Sequence, residues 1–139
     1  MDKKRNKGIA ALPVLLLISA IILEVAVVSI VLANVFNNAR YNERLAAEAF
    51  GAARAGAQDA ALRVIRYKVC PATPGCPATS TITVGLRTAD VTITDSGGGI
   101  ITVDSIGTAL GRQKKVQVIL GVDPVTGEVS LRSFKEVAL

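Results

Sequence analysis

The distribution of apolar and polar residues divides the chain into a continuous apolar run and a periodic remainder. The 25 residues from 9 to 33 are apolar except for Ser19, Glu24 and Ser29. A helix needs about 20 apolar residues to cross the hydrocarbon core of a bilayer, so this run is long enough for one span. After it, apolar residues recur first at helical spacing and then in alternation. The pattern therefore predicts a membrane helix, a second helical segment and a set of strands.

Between residues 39 and 68 the spacing is that of an amphipathic helix, and no proline interrupts it. The residues that share its predicted buried face are small: Ala46, Ala49, Ala53, Gly56, Ala57, Ala60 and Val64. On the other face, Arg44–Glu48 and Asp59–Arg63 are spaced for ion pairs. A face of small residues lets another backbone approach closely, whether that backbone belongs to this chain's own sheet or to a neighbouring helix.

After residue 80, Val, Ile and Thr alternate in short runs that are separated by turn-forming residues. The predicted strands are 81–86, 89–94, 100–106, 114–122 and 128–134. Gly97–Gly99 and Asp123–Gly127 have the composition of hairpin connections. Because all connections are short, we expect an antiparallel sheet. The predicted fold class is therefore α+β, with a long N-terminal helix packed against a small antiparallel sheet.

Charge indicates how the membrane helix is oriented. Residues 2–7 carry four basic side chains and one acidic side chain, a net charge of +3. Basic residues next to a span stay in the cytoplasm. We therefore expect a single pass through the cytoplasmic membrane, with the N-terminus inside and the chain beyond about Arg40 outside.

These patterns divide the chain into five predicted segments. They are a basic leader (1–8), a transmembrane or assembly helix (9–35), an amphipathic stalk helix (36–69), a Cys/Pro-rich connector (70–80) and a sheet domain (81–139). The connector holds Cys70 and Cys76, with prolines that end the helix. Two cysteines in a segment expected outside the cytoplasm favour a disulfide bond over a metal site.

The composition argues against an enzyme. The chain contains no histidine, and histidine is the commonest general base at neutral pH and the commonest metal ligand. Ser–His and Cys–His nucleophile pairs and zinc sites that use histidine are thereby excluded. We expect no enzymatic activity and no cofactor.

Glu24 and Pro13 are the unusual residues of the apolar run. A charged side chain at the centre of a span costs about 2.5–3.5 kcal/mol on insertion scales, and such residues usually face protein partners. We therefore expect Glu24 to face neighbouring helices, either protonated or paired with a basic group. Pro13 lies close to the start of the run, where a helix loses little by lacking one amide.

Three interpretations of the apolar run compete. One is a secretory signal cleaved after Val31-Leu32-Ala33, although the apolar core of such signals has only about 7–15 residues. The second is a permanent single-span anchor. The third is a helix that leaves the bilayer and packs with copies of itself in a filament. Glu24 favours the third, because a lone anchor has no use for a carboxylate.

The order of segments resembles the type IV pilin-like proteins. The resemblance rests on the basic leader ending in Lys7-Gly8, the apolar run, the Ala-rich helix and the strand-rich C-terminal part. It implies that a prepilin peptidase cuts between Gly8 and Ile9 and that the apolar helix then packs in a filament core. Major pilins have Glu at the fifth residue after the cut, where this chain has Pro13. The chain is therefore more similar to minor pilins of the PilX-like type.

A second resemblance is to the TadE-like pseudopilins. Leu12-Pro13-Val14-Leu15, followed by Glu24, is similar to their Leu-Pro segment and its acidic residue, and an Ala/Arg-rich helix follows. Both resemblances imply a structural minor subunit of a type IV pilus or a related pseudopilus. The implied partners are other pilin subunits, the prepilin peptidase, the inner-membrane assembly platform and membrane lipid. The implied location is the cytoplasmic membrane before assembly and the cell surface afterwards.

Residues 111–115, Gly-Arg-Gln-Lys-Lys, are the densest basic cluster outside the leader. Arg112, Lys114 and Lys115, with Arg63, Arg66 and Lys68, are candidates for a surface that contacts DNA or an anionic cell envelope. No aromatic residues interleave with the cluster, so base stacking is not expected. A solvated hairpin edge that discourages aggregation between sheets is the simpler account. The two alternative functions are a membrane-anchored extracellular binding domain and, less favoured, a DNA-contacting pilin used in uptake.

Overall fold

The computed structural model describes residues 11–139. Its elements are one helix, α1 (Ala11–Tyr67), and five strands, β1 (Thr79–Val84), β2 (Arg87–Asp95), β3 (Ile100–Ala109), β4 (Arg112–Val122) and β5 (Val129–Val137). The chain divides into two compact units, of which the first reaches Tyr41 and the second comprises residues 42–139. The predicted α+β class, with a long apolar N-terminal helix and an antiparallel sheet, is confirmed.

In the first unit, α1 is exposed from residue 12 to residue 41. Its most apolar stretch has a mean hydropathy of 2.9 and is 0% buried within the protein. By length and composition this helix can span a membrane. The hydroxyls of Ser19 and Ser29 donate to the carbonyls of Leu15 (2.8 Å) and Val25 (2.7 Å), one turn earlier. Both polar side chains are therefore satisfied by the helix itself, as an apolar surrounding requires.

In the second unit the strands pair in the order of the sequence, β1-β2-β3-β4-β5, and every neighbouring pair is antiparallel. All five predicted strands are present. The hairpin of β3 and β4 is longer than predicted, because β3 continues through Gly107 to Ala109 and β4 begins at Arg112. The strand ends contain Gly107, Thr108, Arg112 and Gln113, which do not show the alternation of apolar and polar residues that predicts a strand.

Two of the four connections are two-residue turns with backbone in the left-handed region. Gly85-Leu86 joins β1 to β2, with Gly85 at φ 63°. Leu110-Gly111 joins β3 to β4, with φ values of 44° and 82°. Such turns match the twist of the strands that they connect.

The predicted connection at residues 123–127 is confirmed, and an aspartate organises it. The Asp123 carboxylate accepts hydrogen bonds from the amides of Val125 (2.7 Å) and Thr126 (2.9 Å). The hydrogen bonds from Thr126 and Val125 hold the pKa of Asp123 below its usual value.

The core of the second unit lies between one face of α1 and one face of the sheet. The helix contributes small residues and the central strands contribute larger apolar ones: Ala53, Ala57, Ala60 and Val64 pack with Val91, Ile93, Ile101, Val103, Val116, Val118 and Leu120. β3 alternates strictly between buried and half-buried side chains. The predicted small-residue face of α1 is confirmed, with Leu45 and Ala52 as further members and Ala46 only half-buried.

Two glycines set how closely the helix and the sheet approach. A Cβ atom on Gly56 would lie 2.5 Å from Ser105 Oγ and 2.9 Å from Val91 Cγ2. A Cβ atom on Gly107 would run into the α1 backbone at Ala49 and Ala53. Ser105 is fully buried beneath Gly56, and its Oγ has no hydrogen-bond partner within residues 11–139. Only hydrogen fits at these two positions.

We predict opposite effects of alanine at the two glycines of α1. Gly51→Ala places a methyl group where nothing lies within 4 Å, so the higher helix propensity of alanine should stabilise the fold by up to about 1 kcal/mol. Gly56→Ala overfills the contact with Ser105 and Val91 and should destabilise the fold by about 1–3 kcal/mol. Denaturant unfolding of the detergent-solubilised chain, followed by circular dichroism, measures both changes. Equal effects at the two glycines would contradict the close approach.

Candidate functional site

There are three candidate functional features. They are the apolar part of α1, the connector that contains Cys70 and Cys76, and the end of the sheet next to Asn42. Residues 11–139 contain no group of three or more His, Cys, Asp or Glu side chains that could hold a metal ion. The predicted processing site, Gly8 and Ile9, lies outside the described residues.

Pro13 is the third residue of α1, and the helix continues from it without a break. Pro13 therefore does not interrupt the apolar segment.

Glu24 is exposed in the middle of the apolar segment. The residues one turn before and after it are Ala20, Ile21, Val27 and Val28, which offer no polar group. The ion pairs of the described chain do not include Glu24. A partner for this carboxyl must therefore come from outside the segment, whether from another helix or as a bound proton.

The connector is closed by a disulfide bond between Cys70 and Cys76, with an S–S distance of 2.07 Å. Both cysteines are buried and belong to the core with Val64 and Ile101. α1 ends just before them, where Lys68 adopts a left-handed φ of 58° and its amide donates to the Val64 carbonyl (2.7 Å). The bridge therefore joins the end of the helix to the core of the sheet, which is a structural role.

An ion pair fixes the other end of the α1 segment in the second unit. Glu48 accepts hydrogen bonds from Arg87 Nε (2.7 Å) at the start of β2 and from Arg44 Nε (3.0 Å) on the same helix. The hydrogen bonds from Arg87 and then Arg44 hold the pKa of Glu48 below its usual value. The spacing of the sequence predicts the Arg44 contact. The Arg87 contact joins residues 39 positions apart, so no local signal could reveal it.

The structure divides the predicted basic cluster between the two faces of β4. Arg112 donates to the Asn42 side chain (3.1 Å) on α1, and Lys114, on the same face, pairs with Glu136. Lys115, on the opposite face, lies 3.3 Å from Asp104. Successive residues of a strand point to opposite faces, so neighbours in sequence do not form one surface here.

The other basic candidates lie far from this cluster. Arg66 follows Asn42 by 24 positions on the same helix, a separation of about 36 Å at 1.5 Å per residue. Within the cluster only Lys115 pairs with β5, whereas Arg112, Gln113 and Lys114 pair with β3 alone. The predicted basic surface is therefore not assembled by the fold, and the edge-protection account stays a prediction.

An apolar groove of about 320 Å³ lies between α1 and β5. Its lining includes Ala57, Ala61, Val118, Leu131 and Phe134. The Arg54 guanidinium carbon lies 5.9 Å from the centre of the Phe134 ring, within cation–π distance. The sequence places Phe134 on a strand, but only the packing shows that α1 leaves this end of the sheet uncovered.

The order of elements is pilin-like, since a long apolar N-terminal helix continues into residues that pack on an antiparallel sheet. Comparison of the chain with protein-family models, curated proteins and solved structures finds no match.

We predict that the contact between Glu48 and Arg87 makes the second unit sensitive to acid. Folding lowers the pKa of Glu48 below its ordinary value of 4.5. The stabilisation is therefore present above that value and is lost as the pH falls through the lower folded pKa. Glu48→Gln should lower the unfolding temperature at neutral pH. It should also reduce the further fall in unfolding temperature as the pH drops below the ordinary pKa of 4.5. Thermal unfolding followed by circular dichroism, from neutral pH to below this pKa, measures both effects.

The matched control is Glu43→Gln, because Glu43 is an exposed carboxyl on the same helix and belongs to none of the ion pairs within residues 11–139. It should change neither property. The prediction fails if Glu48→Gln and the unmodified chain have the same acid profile.

Proposed function

We propose that this chain is a structural minor subunit of a type IV pilus or a related pseudopilus. The observation that carries the proposal is the helix α1. Its early residues are apolar and exposed, whereas its later residues, from Leu45 to Val64, form the buried face beneath an antiparallel sheet. One element thus provides both a membrane-spanning surface and the main packing surface of a folded unit.

The absence of a flexible linker in the sequence supports a structural subunit over an anchored binding domain. Domain boundaries usually fall in exposed stretches rich in Pro, Gly and polar residues. Residues 14–50 contain neither Pro nor Gly, and α1 extends through all of them. A tethered receptor gains from free movement of its domain, whereas a filament subunit gains from a continuous helix.

The position of Glu24 supports assembly with other helices. The surrounding turn offers this carboxyl no polar partner, and a charge at the centre of a lone span costs about 2.5–3.5 kcal/mol on insertion scales. A neighbouring subunit that supplies a basic or hydrogen-bonding group offsets this cost. In this proposal the partners of the chain are other pilin subunits.

The basic leader supports processing before assembly. In this proposal the leader stays in the cytoplasm, a prepilin peptidase cuts between Gly8 and Ile9, and the inner-membrane platform assembles the mature chain. The sheet unit then lies outside the cytoplasmic membrane and, after assembly, at the cell surface. The divided basic cluster does not favour the DNA-contacting alternative, because Lys114 and Lys115 are each paired with a carboxylate.

We predict that the mature chain begins at Ile9 and contains 131 of the 139 residues. Mass spectrometry of the protein extracted from membranes measures this directly. Gly8→Leu should leave the full-length chain uncut, whereas Asn6→Leu, which also enlarges a leader residue, should be cut normally. An intact Met1 in the unmodified chain would support a simple anchor, and a chain that begins at Asn34 would support a secreted protein.

We predict that Glu24→Leu inserts normally but assembles poorly. Polar contacts between membrane helices contribute about 0.6–1.7 kcal/mol, so incorporation into filaments should fall by about threefold to twentyfold. Quantitative immunoblotting of sheared filaments and of the membrane fraction gives the ratio. Ile22→Leu, which changes the shape of a nearby apolar residue without removing a carboxyl, is the control. Normal incorporation of Glu24→Leu would show that the carboxyl needs no neighbour.

A further inference from the structure

Two exposed leucines lie at the end of the sheet that carries the β1–β2 and β3–β4 turns. This end of the sheet is called the edge below. Leu86, in the turn between β1 and β2, is 91% exposed, and Leu110, in the turn between β3 and β4, is 70% exposed. The pairing of Thr88 with Thr108 places both turns at the same level of the sheet. They are separated by two strand spacings, which is about 10 Å. The edge therefore presents two apolar side chains next to each other.

The turn chemistry does not explain Leu110. Its φ of 44° lies in the left-handed region, where the first central residue of such a turn is preferentially Asn, Asp or Gly. Strain of this kind persists at sites that serve a function. Because Leu110 is also exposed, packing within the second unit does not account for it either. A contact outside this unit gives a reason for an exposed apolar residue at a turn position that favours Asn, Asp or Gly.

The same edge is where the chain enters the second unit. Arg87, next to Leu86, pairs with Glu48, and Arg112, two residues after Leu110, donates to Asn42, the first residue of the unit. The apolar run ends at Ala33, nine positions before Asn42. Nine residues reach about 30 Å at most, whatever their conformation. The edge is thus tethered close to the end of the proposed span, where even weak surface binding is strengthened by high effective concentration.

We propose that this edge contacts the headgroup layer of the bilayer that the N-terminal segment spans, with Leu86 and Leu110 inserted and Arg112 bound to lipid phosphate. Apolar side chains with adjacent basic groups are the composition of surfaces that lie in the membrane interface. Arg112 suits this role because, in the described part of the chain, its guanidinium bonds to a neutral amide and to no carboxylate. The inference rests on the membrane-anchored part of the proposed function and is independent of pilus assembly.

The opposite edge of the sheet offers a matched control. Val125, in the connection between β4 and β5, is also 91% exposed. Its sequence neighbours Asp123 and Glu128 are acidic, although Lys68 at the end of α1 lines the same pocket. The decisive difference is position, because β4 separates this connection from the turn at Leu110. An exposed apolar side chain alone would make the two edges equivalent, whereas membrane contact distinguishes them.

The test uses the full-length chain in phosphatidylcholine vesicles, with and without phosphatidylglycerol. Single cysteines replace Leu86, Leu110, Val125 or Ile22 and carry a nitroxide, with the native disulfide left intact. Oxygen, which concentrates in lipid, and a water-soluble nickel chelate compete to relax each label. We expect the oxygen-to-nickel ratio at positions 86 and 110 to be several-fold higher than at position 125.

Two further variants separate the contact from the fold. Leu110→Asn should lower the ratio of the label at position 86, while the unfolding temperature stays the same or rises because Asn suits the left-handed turn. Anionic phosphatidylglycerol should raise the oxygen-to-nickel ratio at position 86 further, and Arg112→Gln should remove this additional increase.

The outcomes distinguish this inference from the anchor on which it rests. Lipid-like behaviour at position 22 with water-like behaviour at 86 and 110 overturns the edge contact and leaves the span intact. Water-like behaviour at position 22 overturns the span and the edge contact together. Spectral broadening between labels on different copies, without preferential access of oxygen, identifies a contact between subunits and overturns the lipid contact.

Discussion

The close approach of α1 to the sheet is the constraint on which the second unit depends. Gly56 on the helix and Gly107 on β3 have no room for a side chain, and the alanines around them are buried. The small residues of α1 let the larger side chains of the central strands pack directly against the helix, so the stability depends on dense packing between helix and sheet. The ion pair of Glu48 at one end and the disulfide at the other hold the helix on this path.

Local periodicity predicted the features that local sequence determines. The face of α1 from Ala49 to Val64, the five strands and the connection at Asp123 follow from spacing and turn chemistry within a few residues. The contact of Glu48 with Arg87 and the fit of Ser105 beneath Gly56 depend on which strand lies against which turn of the helix. No pattern along the chain contains that information. For the basic cluster, proximity in sequence wrongly suggested one surface. Lys114 and Lys115 are adjacent in sequence but lie on opposite faces of β4.

The two parts of α1 meet different physical requirements within one helix. Up to Ala33 the side chains are apolar on all sides of the helix except at Ser19, Glu24 and Ser29, which suits lipid or a bundle of similar helices. From Leu45 onward only one face is apolar, and it is already covered by the sheet. The candidate functional surface is therefore the early part, with Glu24 as its one charged group within residues 11–36. Sequence was sufficient to locate this segment, because its apolar composition extends over the length of a membrane span, whereas its exposure is a finding of the structure.

The strand order of the sheet has a consequence for how the chain folds. Since every strand pairs with the one before it, each hairpin closes a short loop, and such local contacts form quickly. A chain synthesised from its N-terminal end completes β1 first and β5 last. The sheet can then grow one strand at a time against α1, without waiting for a distant partner. Folding in this order leaves few unpaired strand edges exposed, where they would invite aggregation.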